Sequence, residues 1–155
     1  MACVADPLNV IPHLRYERPA DAIPWLTRVF GFRERTRMAG PNGRIYVAEL
    51  VCPGGAVIML GGQLPAAVFE KVPGYRPPQD RGFPHLTHSI TLLMPEVDEH
   101  FRRASAEGAT VLSEPRDQKW GIREYEALDL EGHHWQFGYR FREVQPHEWG
   151  AKPVS

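Results

Sequence analysis

One order of elements occurs twice along this chain, and that repetition limits the fold more than any single motif. In the first pass, Val10 to Tyr16 reads as a strand with Leu14 and Tyr16 on one face and Ile11, His13 and Arg15 on the other. Pro12 places it at a strand end or a sheet edge. Asp21 to Phe30 then carries Ile23, Leu26 and Phe30 at helical spacing, with Gly31 where a left-handed cap closes a helix and Pro24 assigned to the first turn. Strands follow at Arg33 to Met38 and Arg44 to Val51, joined by Gly40-Pro41-Asn42-Gly43, and a third covers Ala56 to Leu60 after Pro53-Gly54-Gly55.

From Ser89 the order returns. Ser89 to Met94 is a strand with Ile90, Leu92 and Met94 on one face, and Val97 to Glu107 is a helix with Val97, Phe101 and Ala104 as its apolar stripe, closed by Gly108. Three strands follow at Thr110 to Leu112, Arg123 to Leu128 and His133 to Tyr139. The last opens after the turn Asp129-Leu130-Glu131-Gly132, whose short acidic residues and glycine suit a tight reversal. The period of two then puts His133, Trp135 and Phe137 on the packed face and His134 and Gln136 on the other.

A unit of about fifty residues occurring twice predicts two βαβββ modules in an α+β fold. The first module is expected over 10–60, a proline-rich linker over 61–87, the second module over 88–140 and a tail over 141–155. One module alone exposes a face of its curved sheet, so two must pair, within one chain or by exchange between chains, and their concave faces then enclose a cleft. The linker contains Pro65, Pro73, Pro77, Pro78 and Pro84 and is a candidate cover for that cleft. In the tail, Trp149 is a candidate contact with a partner subunit.

Composition removes several function classes. A formal net charge of -1 with pI near 6.7 gives no electrostatic footprint for nucleic acid or an anionic membrane. No apolar run approaches the roughly 20 residues of a membrane-spanning helix, and Met1 to Asn9 lacks the pattern of a signal peptide. Cys3 and Cys52 indicate neither a disulfide framework nor a metal knuckle, so a reduced, cytoplasmic protein is expected.

With these elements in place the chain resembles the vicinal oxygen chelate superfamily, which includes glyoxalase I, extradiol dioxygenases, fosfomycin-resistance transferases and bleomycin-resistance proteins. The residues that carry the resemblance are Trp25-Leu26-Thr27-Arg28-Val29-Phe30-Gly31-Phe32, the stretch Gly40 to Leu50, Val97-Asp98-Glu99-His100-Phe101 through Glu107-Gly108-Ala109, Asp117 to Arg123, and Asp129 to Phe137. It spans about Val10 to Gly138 and implies the glyoxalase/bleomycin-resistance fold; the superfamily hosts unrelated chemistries on that scaffold.

Metal-dependent members carry His, Glu or Gln at four cleft-facing points on the first and last strand of each module. Counting from Gly31, Gly55, Gly108 and Gly132, those points fall at Ile11, Met59, Ser89 and Gln136, of which only Gln136 offers a ligand atom suited to a hard or borderline ion. His88 is one residue out of phase with the cleft face. A displaced site from His13, His134 and Glu49 is the alternative that imidazole and carboxylate chemistry allows.

The cleft-facing candidates for ligand binding are His13, Arg15, Glu49, Met59, Thr91, Leu93, His134 and Gln136, with Trp120, Arg123 and Tyr125 approaching from the loop and strand before the acidic turn. Trp120 is suited to stacking on a planar ligand and Arg123 to an anion or carbonyl. The leading expectation is a protein of the bleomycin-resistance kind, a homodimer that sequesters an aromatic drug or natural product without a metal or other cofactor. The alternative is an enzyme, either a divalent-metal lyase, isomerase or dioxygenase with displaced ligands, or a metal-free one with His13 or His134 as general base. A scaffold with a filled cleft is the third.

Overall fold

The computed structural model describes residues 10–63, 66–71 and 88–152. Among these residues, eight strands form two four-stranded sheets. In the first module, β1 (His13–Tyr16), α1 (Pro19–Phe30), β2 (Arg33–Ala39), β3 (Ile45–Val51) and β4 (Val57–Gly62) build a sheet of order β1-β4-β3-β2. A short α2 (Ala66–Phe69) follows. The second module repeats the plan with β5 (Ile90–Leu93), α3 (Val97–Ala106), β6 (Thr110–Asp117), β7 (Ile122–Leu128) and β8 (His134–Arg140), in the order β5-β8-β7-β6. In each sheet the first and last strands pair in parallel and the other pairs are antiparallel. The two-module α+β architecture is therefore as the repeat predicts, and most of the proposed 61–87 linker lies outside the described residues.

Element ends differ from the sequence reading in instructive ways. The helix α1 begins at Pro19, so Pro24 sits in its second turn instead of its first. The ring is exposed, which keeps it off the core even though one intrahelical donor is missing. β6 extends to Asp117 through Pro115, which an edge strand accommodates because its outer side needs no ladder hydrogen bonds.

The helix-facing sides of both sheets contribute to one core. Leu14 and Tyr16 of β1, Leu92 and Met94 at β5, and Trp135 and Phe137 of β8 are all buried, on the faces the period of two assigns them. Phe30, the last residue of α1, packs on Phe137 at 4.8 Å between ring centroids and on Trp135 at 6.0 Å, while Phe32 meets Trp135 at 5.3 Å. Burial of each such side chain contributes about 1.5–3 kcal/mol, so this aromatic cluster across the module boundary is a main source of cohesion.

Two polar ties cross the same boundary. Asp129 is buried, and its Oδ2 accepts the Tyr16 hydroxyl at 2.6 Å and the Trp135 indole N–H at 3.1 Å. Its Oδ1 accepts the backbone N–H groups of Glu131 and His133, each at 3.0 Å, and lies 3.1 Å from His133 Nδ1. The other His133 nitrogen donates to the Arg15 carbonyl at 3.0 Å. Burial alone would raise the Asp129 carboxyl, but His133 and the hydroxyl and indole donors outweigh it and hold it below the usual range. Replacing Asp129 with Ala leaves these donors without their acceptor and is expected to cost on the order of 3–5 kcal/mol in urea denaturation.

The second tie is His100 on α3, where the apolar stripe was expected to run through Phe101. His100 is buried and Phe101 only partly so. Its Nε2 lies 2.9 Å from the Phe30 carbonyl and its Nδ1 2.6 Å from the Tyr125 hydroxyl. Because a carbonyl only accepts, Nε2 carries the proton and Nδ1 accepts from Tyr125. Burial pushes the His100 pKa down to about 4, the Phe30 carbonyl opposes this, and Arg103 reinforces it. The folded pKa is depressed, so this contribution is complete above pH 6.5 and is lost as pH falls towards about 4. A loss on the order of 3 kcal/mol over that window is expected in acid titrations of denaturation midpoints, and much of it should vanish in His100→Gln.

Candidate functional site

The sides of the two sheets that face away from the helices carry most of the candidate residues. On the first sheet, His13 lies opposite Met59 and Met59 opposite Glu49, so the three form one row across β1, β4 and β3. Arg15 stands one strand step further along and donates to the Gly62 carbonyl at 3.1 Å. Glu49 is clamped by Arg35 at 2.9 Å and by the Thr36 hydroxyl at 3.1 Å. Burial, and then the Arg15 charge, lower the His13 pKa and favour its neutral ring.

The second sheet carries the equivalent row, Thr91, Gln136 and Glu126 across β5, β8 and β7. The Thr91 hydroxyl donates to Gln136 Oε1 at 2.7 Å, and His134 Nε2 lies 2.7 Å from Glu126 Oε2. One strand step along, Leu93 is opposite Gly138 and Gly138 opposite Glu124. The Trp120 indole N–H is directed at the Glu124 carboxyl; burial and the neighbouring Glu126 raise that carboxyl's pKa, and the indole partly offsets them. Glu124, Glu126 and Ile122 were not among the residues expected from sequence. Antiparallel pairing with Arg140, Gly138 and Gln136 is the signal that places them, because directly opposed residues share a face.

The same rule corrects two expectations. Tyr125 is paired with Phe137, so it points to the helix side, where it is fully buried and bonded to His100. Arg123 shares that side: it donates to Asp98 of α3 at 2.9 Å and to Asp117 at 2.8 Å, which takes it out of the candidate ligand set. Changing Arg123 to Ala is expected to cost on the order of 1 kcal/mol of stability, since the network is partly exposed, and to leave any ligand's affinity within about twofold.

The register also moves the four metal-type positions. Met59 and Gln136 are opposed by His13 and Thr91, not by Ile11 and Ser89, which lie one strand step earlier. The corrected set is one imidazole, one thioether, one hydroxyl and one amide, and the hydroxyl is already bonded to the amide. That set does not fit a hard or borderline divalent ion, which wants carboxylate and imidazole together. Among the described residues of one chain no group of three or more His, Cys, Asp or Glu is placed to hold a metal, so His13, His134 and Glu49 do not come together within it. His88, just before β5, is exposed.

A cavity of about 410 Å³ lies elsewhere, at the start of α1, lined by residues including Arg18, Asp21, Arg44 and Gln63. It contains none of the candidate ligand residues.

Residues 8–137 match the family model of the Glyoxalase/Bleomycin resistance protein/Dioxygenase superfamily. The chain belongs to that superfamily. It is 35% identical over 137 residues to an uncharacterized protein of Mycobacterium bovis, Mb0911c, covering 88% of this chain and 86% of that one. Among solved structures it is similar to TioX from Micromonospora sp. ML1, with 31% identity, a TM-score of 0.64, and coverage of 88% of this chain and 99% of TioX. A superfamily enzyme from Burkholderia phytofirmans PsJN has a TM-score of 0.56 at 18% identity, covering 84% and 95% of the two chains, and shares the fold.

Proposed function

We propose that this superfamily member is a small-molecule binding protein that holds an aromatic or planar ligand against the open sheet faces without a metal. The observation that carries this reading is the pair of rows, His13 with Met59 on the first sheet and Thr91 with Gln136 on the second. Where metal-dependent relatives need a ligating set, this chain has groups suited to hydrogen bonding and dispersion. Arg15, Glu49, His134 and Trp120 complete the proposed binding residues.

A single chain buries the helix-facing sides of its sheets in one core and leaves the other sides open. Leu93 on the second sheet is 44% exposed and Met38 on the first 57%. A homodimer that sets the first module of one copy against the second module of its partner would turn these open faces into a cleft, and the ligand would lie between the copies. Cytoplasmic sequestration of a drug or natural product is the biological role this reading assigns.

A second reading is supported by the 2.7 Å pair of His134 and Glu126. A carboxylate that fixes an imidazole can make its other nitrogen a general base, as an acid–base enzyme requires. One experiment separates the two: a thermal-shift screen of planar antibiotics and secondary metabolites, with chromatographic analysis of each compound that raises the melting temperature. Stoichiometric binding with the compound recovered unchanged is expected. Conversion of the compound, abolished by His134→Ala, would replace sequestration with catalysis; no stabilisation by any planar compound would sink both readings.

A further inference from the structure

The open face of the second sheet is divided along its strands into a polar row and an apolar platform. In the polar row Thr91 donates to Gln136 Oε1, and His134 engages Glu126 Oε2. Gln136 Nε2, a donor, and Glu126 Oε1, an acceptor, are left outside those two bonds. Gln136 and Glu126 are directly opposed across β8 and β7, so this donor and this acceptor stand side by side, about 5 Å apart at Cβ. Thr91 on one flank and His134 on the other fix the two side chains in orientation before any ligand arrives.

One strand step away, roughly 7 Å along the sheet, the row becomes apolar. Gly138 is buried beneath Leu93 and Ile122, which form the surface there: a Cβ built on Gly138 would lie 2.8 Å from Ile122 Cγ2 and 3.4 Å from Leu93 Cδ2. Trp120 lies beside Glu124, to which its indole N–H donates. The charged neighbours are Glu124, Arg116 opposite it on β6, and Arg140 opposite Ile122, which is drawn towards Glu143 at 3.9 Å. Charges of both signs therefore surround the platform, and net charge does not select the ligand. Hydrogen-bond pattern and shape are left to do so.

From this geometry we infer that Gln136 and Glu126 read an amide-type edge, an acceptor beside an N–H donor, on a fused planar ring whose body lies on Leu93 and Ile122. Lactams fused to an aromatic ring and aryl carboxamides have this pattern. The ligand carbonyl accepts from Gln136 Nε2, and its N–H donates to Glu126 Oε1. The 7 Å between row and platform matches a bicyclic or larger ring. The inference rests on the binding reading above and narrows it to a chemical class.

The test uses the full chain and two probes, isoquinolin-1(2H)-one and its N-methyl derivative, titrated while amide chemical shifts are followed by NMR, which detects millimolar affinities. The parent lactam is expected to shift residues of β7 and β8 and to bind at least tenfold tighter than the N-methyl compound, which has lost the donor. Glu126→Leu, which removes the acceptor for the N–H, should erase most of that difference, whereas Gln136→Leu, which removes the donor to a carbonyl both probes keep, should weaken both. Gly138→Val, by displacing Ile122, should weaken both probes alike; if that variant does not fold, the two row variants still decide. Equal binding of the two probes, or selectivity that survives in Glu126→Leu, would overturn the edge reading while leaving planar-ligand binding intact. Planar compounds that stabilise the protein alongside lactams that never bind would also overturn it. Failure of every planar compound would instead remove the binding reading on which it rests.

Discussion

The buried Asp129 carboxylate is the interaction on which the relation between the two modules depends. It lies in the turn before β8, yet it bonds Tyr16 of the first module and Trp135 and His133 of the second. A carboxylate taken out of water is tolerated only when its lone pairs are filled, and here five donors fill them. The same turn reaches the first module a second time, because the Glu131 carboxylate accepts the backbone N–H groups of Glu17 and Arg18 at 2.6 and 2.9 Å. These bonds fix the start of β8 against the end of β1 and so set where His134 and Gln136 emerge on the other face.

His133 completes that tie and gives it a pH dependence opposite in sign to that of His100. Burial disfavours its charged ring, but the Asp129 carboxylate and the Arg15 carbonyl prevail and raise its pKa. Both ring nitrogens face acceptors, which only the imidazolium satisfies fully. Its contribution is therefore present below the unfolded value and fades as pH rises through the raised one, whereas the His100 contribution fades on acidification. The module boundary is thus most secure at moderately acidic to neutral pH. Gly31 adds a local constraint there: its φ of 70° caps α1, and the Arg103 guanidinium occupies the space a side chain would need.

Much of this was legible from sequence because a half-buried strand announces its phase. Leu14 and Tyr16, Leu92 and Met94, and Trp135 and Phe137 all lie on the faces that alternation assigns. Alternation within one strand says nothing about its neighbour, however, and the errors arose there. Tyr125 and Arg123 look equivocal in β7 alone, but pairing with Phe137 and Tyr139 decides their side. Counting from turn glycines points to Ile11 and Ser89, because such a glycine locates a strand but not its register. Polar types in a stripe or a turn read as surface, yet His100 and Asp129 are buried and central. Only the partners they find, seventy and more residues away in sequence for Phe30 and Tyr16, turn them inward.

The two modules have kept one backbone plan while their equivalent side chains have become chemically unlike. His13 opposite Met59 offers a near-neutral imidazole and a polarizable thioether; Thr91 opposite Gln136 offers a hydroxyl and an amide already bonded to each other. Behind these pairs stand Glu49, held by Arg35, and Glu126, held by His134. A symmetric pair of rows would accept a ligand in either direction. Unlike rows make one direction better, because a polar edge turned towards the thioether would lose hydrogen bonds it could make with the amide, at about 1–3 kcal/mol for each group left unpaired. The repeat that builds the scaffold therefore does not dictate the chemistry on it: for the proposed ligand, orientation selectivity would come from the positions at which the two modules differ.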